Sequence, residues 1–466
     1  MKVQERCVDY EALNQPTELR PLGEVIKPTR PRVKPSEKPH LPFIGMEHVE
    51  AHTMRLLGTV PASTMKSSAV HFQPGDVLYG RLRPYLNKVY RPDFEGLCSA
   101  EFIVFPKTES LDSRYLQYFL NSAEFVSFAA HLNAGDRPRV DFDQLAPYPF
   151  PVAPLDQQKR IVAEIEKQFS RLDMAVENLK RVKANLKRYK AAVLKAAVEG
   201  RLVELEAELA RRQGKKYETG EELLQRILET RRQQWLARAD KAGGTGRGKY
   251  KEPAAPDVSN LPELPEGWGW ATMPQLGELN RGKSKHRPRD DKKLYGGPYP
   301  FIQTGDVRKS QGTITGYNQT YSEFGLKQSR LWPAGTLCIT IAANIAETGI
   351  LKLAACFPDS VVGFLIENGE TTTQYVEYFI RTAREKLERF APATAQKNIN
   401  LEVLEAVAVP LPPLAEQLRI VAEVDRRLSL VRETEAQVDS NLRRAERLRQ
   451  SILARAFSEE GYLKWP

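Results

Sequence analysis

Two stretches of the chain carry an apolar stripe much longer than an ordinary globular helix needs. From Val162 the stripe continues through Ile165, Phe169, Leu172, Val176 and Leu179 in alternating steps of three and four, the a/d pattern of a coiled coil. It resumes at Val182, Leu186, Tyr189, Val193 and Ala197, so two successive steps of three form a stammer that overwinds the helix pair locally. A second stripe of the same phase runs through Val421, Val424, Leu428, Val431, Val438, Ala445, Leu448 and Ile452, and Gly200 and Gly461 mark the two ends. A helix of about 45 residues is roughly 68 Å long, and one with that much apolar surface needs a partner. Nothing else in the chain matches either stripe in length, so each helix is expected to pack on the other. The alternative is two separate helices, each buried in its own domain.

The regions before the helices have a different pattern. Short β-rich runs such as EFIVF at 101–105 and GFLI at 363–366 alternate with Gly, Pro and Asn turns, which reads as a compact α+β domain. The chain also repeats itself. PLDQQKRIVAEIE at 154–166 and PLAEQLRIVAEVD at 413–425 share eight of thirteen positions at an offset of 259 residues. Weaker echoes lie upstream: 41–49 with 299–307, 115–119 with 375–379, and 21–24 with 275–278. The chain is a tandem duplication of a module of about 200 residues.

The expected division is residues 1–153 for a first domain and 154–200 for its helix, a connector over 201–260, a second domain over 261–412, and 413–466 for the second helix and tail. Within the connector, 204–212 and 221–240 are charged and helix-prone, 241–249 is Gly-rich, and Pro253, Pro256, Pro262 and Pro265 make an extended strap. Trp268 and Trp270 are expected to seat that strap on the second core.

Charge narrows the function. Lys plus Arg number 69 against 59 Asp plus Glu, a formal charge of +10, which favours a polyanionic partner without identifying one. Cys7, Cys98, Cys338 and Cys356 lack C-x-x-C spacing, which argues against a zinc site or a disulfide framework and for a reducing compartment. Residues 1–19 contain no apolar run that reads as a secretory signal, and 331–346 is too short and polar for a membrane span. A soluble, cytoplasmic protein is expected.

The repeated PL..Q.RIVAE before a heptad helix, RLRPYLNK at 81–88 and LPELPEGWGWA at 261–271 resemble the specificity subunits of type I restriction-modification systems. The likeness covers nearly the whole chain, although the first module lacks the LPEGW lead-in found at 264–268. It implies two α+β target-recognition domains joined by two long antiparallel coiled-coil helices. Each domain would read one half of a split site in double-stranded DNA. The helices would dock two methyltransferase subunits, which recruit ATP-driven motor-nuclease subunits. The chain itself would be non-catalytic, with S-adenosylmethionine and ATP bound by the partners. Two similar but non-identical domains in a pseudo-twofold frame predict an asymmetric, bipartite target with an unread spacer.

Phosphates call for Lys and Arg, whereas base edges call for Arg, Asn and Gln. The first-domain candidates are Arg81, Arg83, Tyr85, Asn87 and Lys88, then Asn133, Arg137 and Arg139 in HLNAGDRPRV, with Asp136 able to pair an arginine or accept from a cytosine amino group. Gln396, Lys397 and Asn398 are the second-domain equivalents of that loop, and Lys283, Lys285, His286, Arg287 and Arg289 form a further basic loop. On the first long helix Lys180, Arg181, Lys183, Lys187 and Arg188 are candidates for partner docking.

Competing chemistry is weak. GELNRGKS at 277–284 matches the phosphate-loop pattern but lacks the flanking strand and helix that such a loop requires. His48 and His52 stand four apart without further metal-ligand spacing. No cofactor glycines precede an Asn/Asp-Pro-Pro-aromatic run, so methyl transfer belongs to a partner. A P-loop nucleotide hydrolase and a coiled-coil scaffold without a nucleic acid role remain as alternatives.

Overall fold

The structure, a computed structural model, describes residues 18–28, 31–241, 250–342, 345–367, 370–389 and 399–458. It divides into two compact units, Met1–Val182 with Gln437–Pro466, and Lys183–Ala436. The boundary cuts both long helices, Leu155–Val198 and Leu414–Ala456.

The two modules are closed in the same way. In the first, strand Glu18–Pro21 pairs antiparallel with Pro149–Val152, immediately before the long helix. In the second, Gly269–Thr272 pairs with Ala408–Leu411. The chain therefore enters and leaves each module at neighbouring points. The repeated glutamine of PL..Q.RIVAE fixes the exit. Gln158 Nε2 donates to the Ala153 carbonyl at 2.8 Å, and Gln417 Nε2 donates to the Pro412 carbonyl at 2.8 Å. Both side chains are buried, where a lost hydrogen bond is costly. Gln158 also accepts the Asp112 N–H at 2.7 Å.

Between these closing strands the first unit holds a five-stranded sheet in the order Arg32–Val33, Ala69–Phe72, Gly96–Ser99, Pro42–Ile44, Val60–Pro61, and a three-stranded sheet centred on Val77–Gly80. In the second unit, Glu278–Arg281, Val361–Leu365, Leu337–Thr340, Thr348–Leu351 and Gly312–Ile314 form one sheet in that order, and Tyr295–Phe301 pairs with Gln319–Tyr321. A matching backbone bond aligns the copies: Val140 N to the Arg81 carbonyl and Ile399 N to the Ile341 carbonyl, both 3.0 Å. This is the α+β duplication expected from the sequence.

Each long helix is part of both cores. Ile161, Val162, Ile165 and Phe169 share a core with Ile452, Leu453 and Ala456, and Val193, Leu194 and Ala197 share one with Ile420, Val424 and Leu428. Asp173 meets Arg449 at 2.9 Å in the first unit, and Lys190 meets Glu435 at 2.6 Å in the second. In each unit the early part of one helix lies on the late part of the other, so the pairing is antiparallel. The first helix ends at Gly200, φ 69°, where Arg201 N bonds the Ala196 carbonyl at 2.9 Å in a Schellman arrangement.

The stripe departs from expectation at three positions. Val182, Tyr189 and Leu448 are 39%, 44% and 48% exposed. A two-helix contact covers only a narrow seam, and these side chains lie off it. The position between Val431 and Val438 is taken by Glu435 with Lys190, a charged layer inside an apolar seam.

The strap is seated as expected at Trp268, which is buried and donates from Nε1 to Glu416 Oε1 at 3.0 Å; Trp270 is half-buried. Glu416 Oε2 accepts the Glu206 N–H at 2.9 Å, which holds the connector helix Glu206–Gln213. Burial pushes the Glu416 carboxyl above its ordinary range. Residues 242–249 and Gly461 lie outside the described residues.

Replacing Gln158 or Gln417 by Ala is expected to destabilise the chain by about 1–3 kcal/mol each, the cost of stranding a buried carbonyl. Thermal unfolding of the whole chain measures this, with exposed Lys159→Ala as the unaffected control.

Candidate nucleic-acid interface

In the first unit the chain brings together two loops that lie far apart in sequence. Leu82 and Arg139 form an antiparallel bridge, Arg83 N donates to the Pro138 carbonyl at 2.7 Å, and Arg81 N donates to the Glu101 carbonyl at 2.9 Å. The 81–88 run turns sharply: Arg83 and Asn87 take left-handed backbone, φ 52° and 42°, on either side of the turn Pro84–Leu86. A left-handed arginine costs about 1–3 kcal/mol, a strain that persists only where the surroundings enforce it. Here its N–H is held by Pro138 and its carbonyl by the Leu86 N–H.

Arg81 pairs with Asp141, and Arg139 with Glu101. Arg137 is exposed and makes no ion pair with the described residues. Tyr85 is 44% exposed. Lys88 Nζ donates to the Met46 carbonyl at 2.6 Å. Asn133 and Gln144 exchange amide bonds at 3.1 and 3.3 Å, which stiffens the 133–141 loop from below. Asn87 is a correction. It is 2% exposed and donates to Asn121 Oδ1 at 2.8 Å, so it shapes the turn from within instead of facing a ligand. A small amide tolerates left-handed backbone, which accounts for its position.

In the second unit Lys283, Lys285, Arg287 and Arg289 are all exposed. Gln328 Oε1 accepts the N–H groups of Lys285 and His286 at 2.5 and 3.0 Å, and Arg289 Nη2 reaches both Asp359 oxygens at 3.0 Å. His286 contacts Asp291 at 2.8 Å and meets the Phe324 ring edge-on. Gln396, Lys397 and Asn398 lie outside the described residues.

The phosphate-loop pattern is not used as one. Glu278–Arg281 is an edge strand, Gly282 N bonds the Val361 carbonyl at 2.8 Å, Lys283 N bonds the Phe357 carbonyl at 3.1 Å, and Ser284 is buried beside the Tyr321 hydroxyl at 3.3 Å. N–H groups already bonded to carbonyls do not cradle phosphate. His48 Nδ1 accepts the Gly45 N–H at 2.9 Å, and no group of three metal-ligating side chains occurs among the described residues. On the first long helix, Lys180, Arg181, Lys183, Lys187 and Arg188 are all exposed.

Sequence reading missed Glu101, Asp141 and Asp359, the carboxylates that hold the arginines. Asp141 left a trace, since the pattern Asp-x-x-Gln at 141–144 is a helix-capping box. Glu101 and Asp359 lie 38 and 70 residues from their partners and left none.

A family model described as the type I restriction modification DNA specificity domain matches residues 14–188 and again 265–439. The chain belongs to this specificity family. Among curated members, the type I restriction enzyme EcoDI specificity subunit of Escherichia coli is 27% identical over 173 residues, 36% of this chain and 38% of that protein. The EcoKI specificity subunit of Escherichia coli strain K12 is 22% identical over 390 residues, 80% of this chain and 69% of that one. Thus the chain spans little more than a third of the first relative's length. The fold is shared with a chain from a study of complex assembly in the type I R-M system, at 20% identity and TM-score 0.67, covering 96% of this chain and 99% of that one. It is shared also with the HsdS subunit from Thermoanaerobacter tengcongensis, at 20% identity and TM-score 0.55, covering 96% and 98%. Among the described residues no helix is long and apolar enough to cross a membrane.

Asn87→Ala is expected to lower the thermal midpoint, at a cost of about 1–3 kcal/mol for a stranded buried partner. Tyr85→Ala, two residues away and exposed, is expected to leave the midpoint unchanged in the same measurement.

Proposed function

We propose that this chain is the non-catalytic, sequence-reading subunit of a type I restriction-modification complex. The observation that carries this reading is the joining of the basic run 81–88 to the arginine-bearing loop 133–141 by paired backbone bonds, into one surface bearing Arg81, Arg83, Tyr85, Arg137 and Arg139. The two matches of the specificity model, one per module, support it.

Residues 1–153 read one half of an asymmetric bipartite duplex site, and 261–412 read the other. In the second domain Lys283, Lys285, Arg287 and Arg289 supply the basic contacts, with Gln396, Lys397 and Asn398 as equivalents of 137–139. Lys88 and Asn133 support the first surface from its edge. The helices over 154–200 and 413–466 dock two methyltransferase subunits through Lys180, Arg181, Lys183, Lys187 and Arg188. Through those subunits the motor-nuclease subunits join, and the partners carry S-adenosylmethionine and ATP. A cytoplasmic location fits the buried thiols of Cys98, Cys338 and Cys356, which burial pushes up in pKa and makes unreactive.

Module closure supplies the test. Because Glu18–Pro21 pairs with Pro149–Val152, exchanging residues 19–153 for the same segment of another such subunit is expected to change one half of the methylated motif and leave the other half and the spacer intact. Sequencing methylated DNA reads the outcome, and a change in both halves together sinks the reading. Docking has its own check: charge reversal at Lys180, Arg181, Lys187 and Arg188 is expected to abolish co-purification of the methyltransferase without lowering the thermal midpoint.

A further inference from the structure

The basic surface of the first unit is less cationic than its sequence. Of its guanidinium groups, Arg81 is held by Asp141 and Arg139 by Glu101, across 60 and 38 residues of chain. The backbone that carries each carboxylate is held locally. Asp141 caps the helix Phe142–Leu145, and its N–H donates to Gln144 Oε1 at 3.0 Å. Glu101 sits in the turn between strands Gly96–Ser99 and Phe102–Phe105; its N–H donates to Ser99 Oγ at 3.2 Å, and its second oxygen, Oε2, is buried without a hydrogen-bond partner. Both pairs reach solvent, with side-chain exposures of 25% and 59% for Arg81 and Asp141 and of 52% and 29% for Arg139 and Glu101.

Pairs of this kind exchange partners readily. What they exchange for depends on charge. A phosphate approaching either arginine also approaches a fixed carboxylate within contact distance and is repelled. The O6 and N7 edge of guanine carries no net charge and is repelled far less, and a cytosine amino group can donate to the carboxylate itself. Carboxylates placed this way penalise phosphate binding far more than base binding.

We infer that Glu101 and Asp141 are specificity-determining residues, which keep Arg139 and Arg81 from serving as phosphate anchors and reserve them for base edges. This rests on the reading that the joined loops face DNA. Arg137, without an ion pair among the described residues, then supplies the phosphate contact of the 133–141 loop.

The test uses the full chain assembled with its methyltransferase subunits, carrying Glu101→Gln or Asp141→Asn. Asparagine retains the helix cap, and glutamine retains the size of Glu101. One probe is a fluorescein-labelled duplex of scrambled sequence; the other is a pool of random duplexes from which bound molecules are sequenced. Each freed arginine gains a phosphate, so scrambled-duplex affinity is expected to rise about eightfold at 0.1 M salt, with a slope of log K against log salt steeper by about 0.9. The motif recovered from the pool is expected to blur in one half only, the intact half acting as internal control. Unchanged scrambled-duplex affinity and slope in both variants would overturn the inference. Arg81→Ala and Arg139→Ala complexes separate the two readings. If they bind both probes as the unmodified complex does, the loops do not face DNA and the function proposed for them falls. If they weaken binding while the carboxylate variants change nothing, the inference alone falls. Glu101→Gln removes no capping contact, so it keeps the test decisive should Asp141→Asn loosen its helix.

Discussion

A glutamine amide buried at the start of each long helix, bonded to the carbonyl five residues upstream, fastens each domain to its helix. The strand just before that carbonyl is already paired to the first strand of the module. Entry, exit and helix start are thus locked at one place, and everything between the closing strands hangs from it. In the first module Gln158 also ties down the chain at Asp112, and the loops that take no part in the lock are free to diverge. The duplication is most legible at PL..Q.RIVAE because those positions carry the same constraint in both copies.

The aligned backbone bonds of the two modules show how far divergence goes. The carbonyl that accepts the Val140 N–H belongs to Arg81, whereas the one that accepts the Ile399 N–H belongs to buried Ile341. The same frame presents a cation in one copy and an apolar core residue in the other. In the second unit exposed cations are found on a different loop, 283–289, which follows an edge strand of the main sheet. Two readers of common descent need not read with the same part of the surface.

Much of this was legible because it rests on periodicity. Ile165, Phe169, Val424 and Leu428 fell where the heptad placed them, all buried. Val182, Tyr189 and Leu448 did not, since a stripe on paper has no width, whereas the contact between two helices covers only a narrow seam. Asn87 misled for another reason: a polar residue amid basic ones reads as surface, but its left-handed backbone turns the amide inward to Asn121. Glu101 was invisible because nothing local distinguishes a solvated glutamate from one that holds an arginine 38 residues away. Propensity and pattern report on neighbours along the chain. The electrostatics of a surface are set by neighbours across it.

The charged layer formed by Lys190 and Glu435 bears on how such a chain changes over generations. A purely apolar seam accepts sliding, since one leucine can replace another in the same gap. An ion pair half-buried in that seam does not, because a shift of either helix alone sets both charges against apolar side chains. An insertion or deletion confined to one helix would part Lys190 from Glu435, so the lengths of the two helices are energetically coupled across the seam.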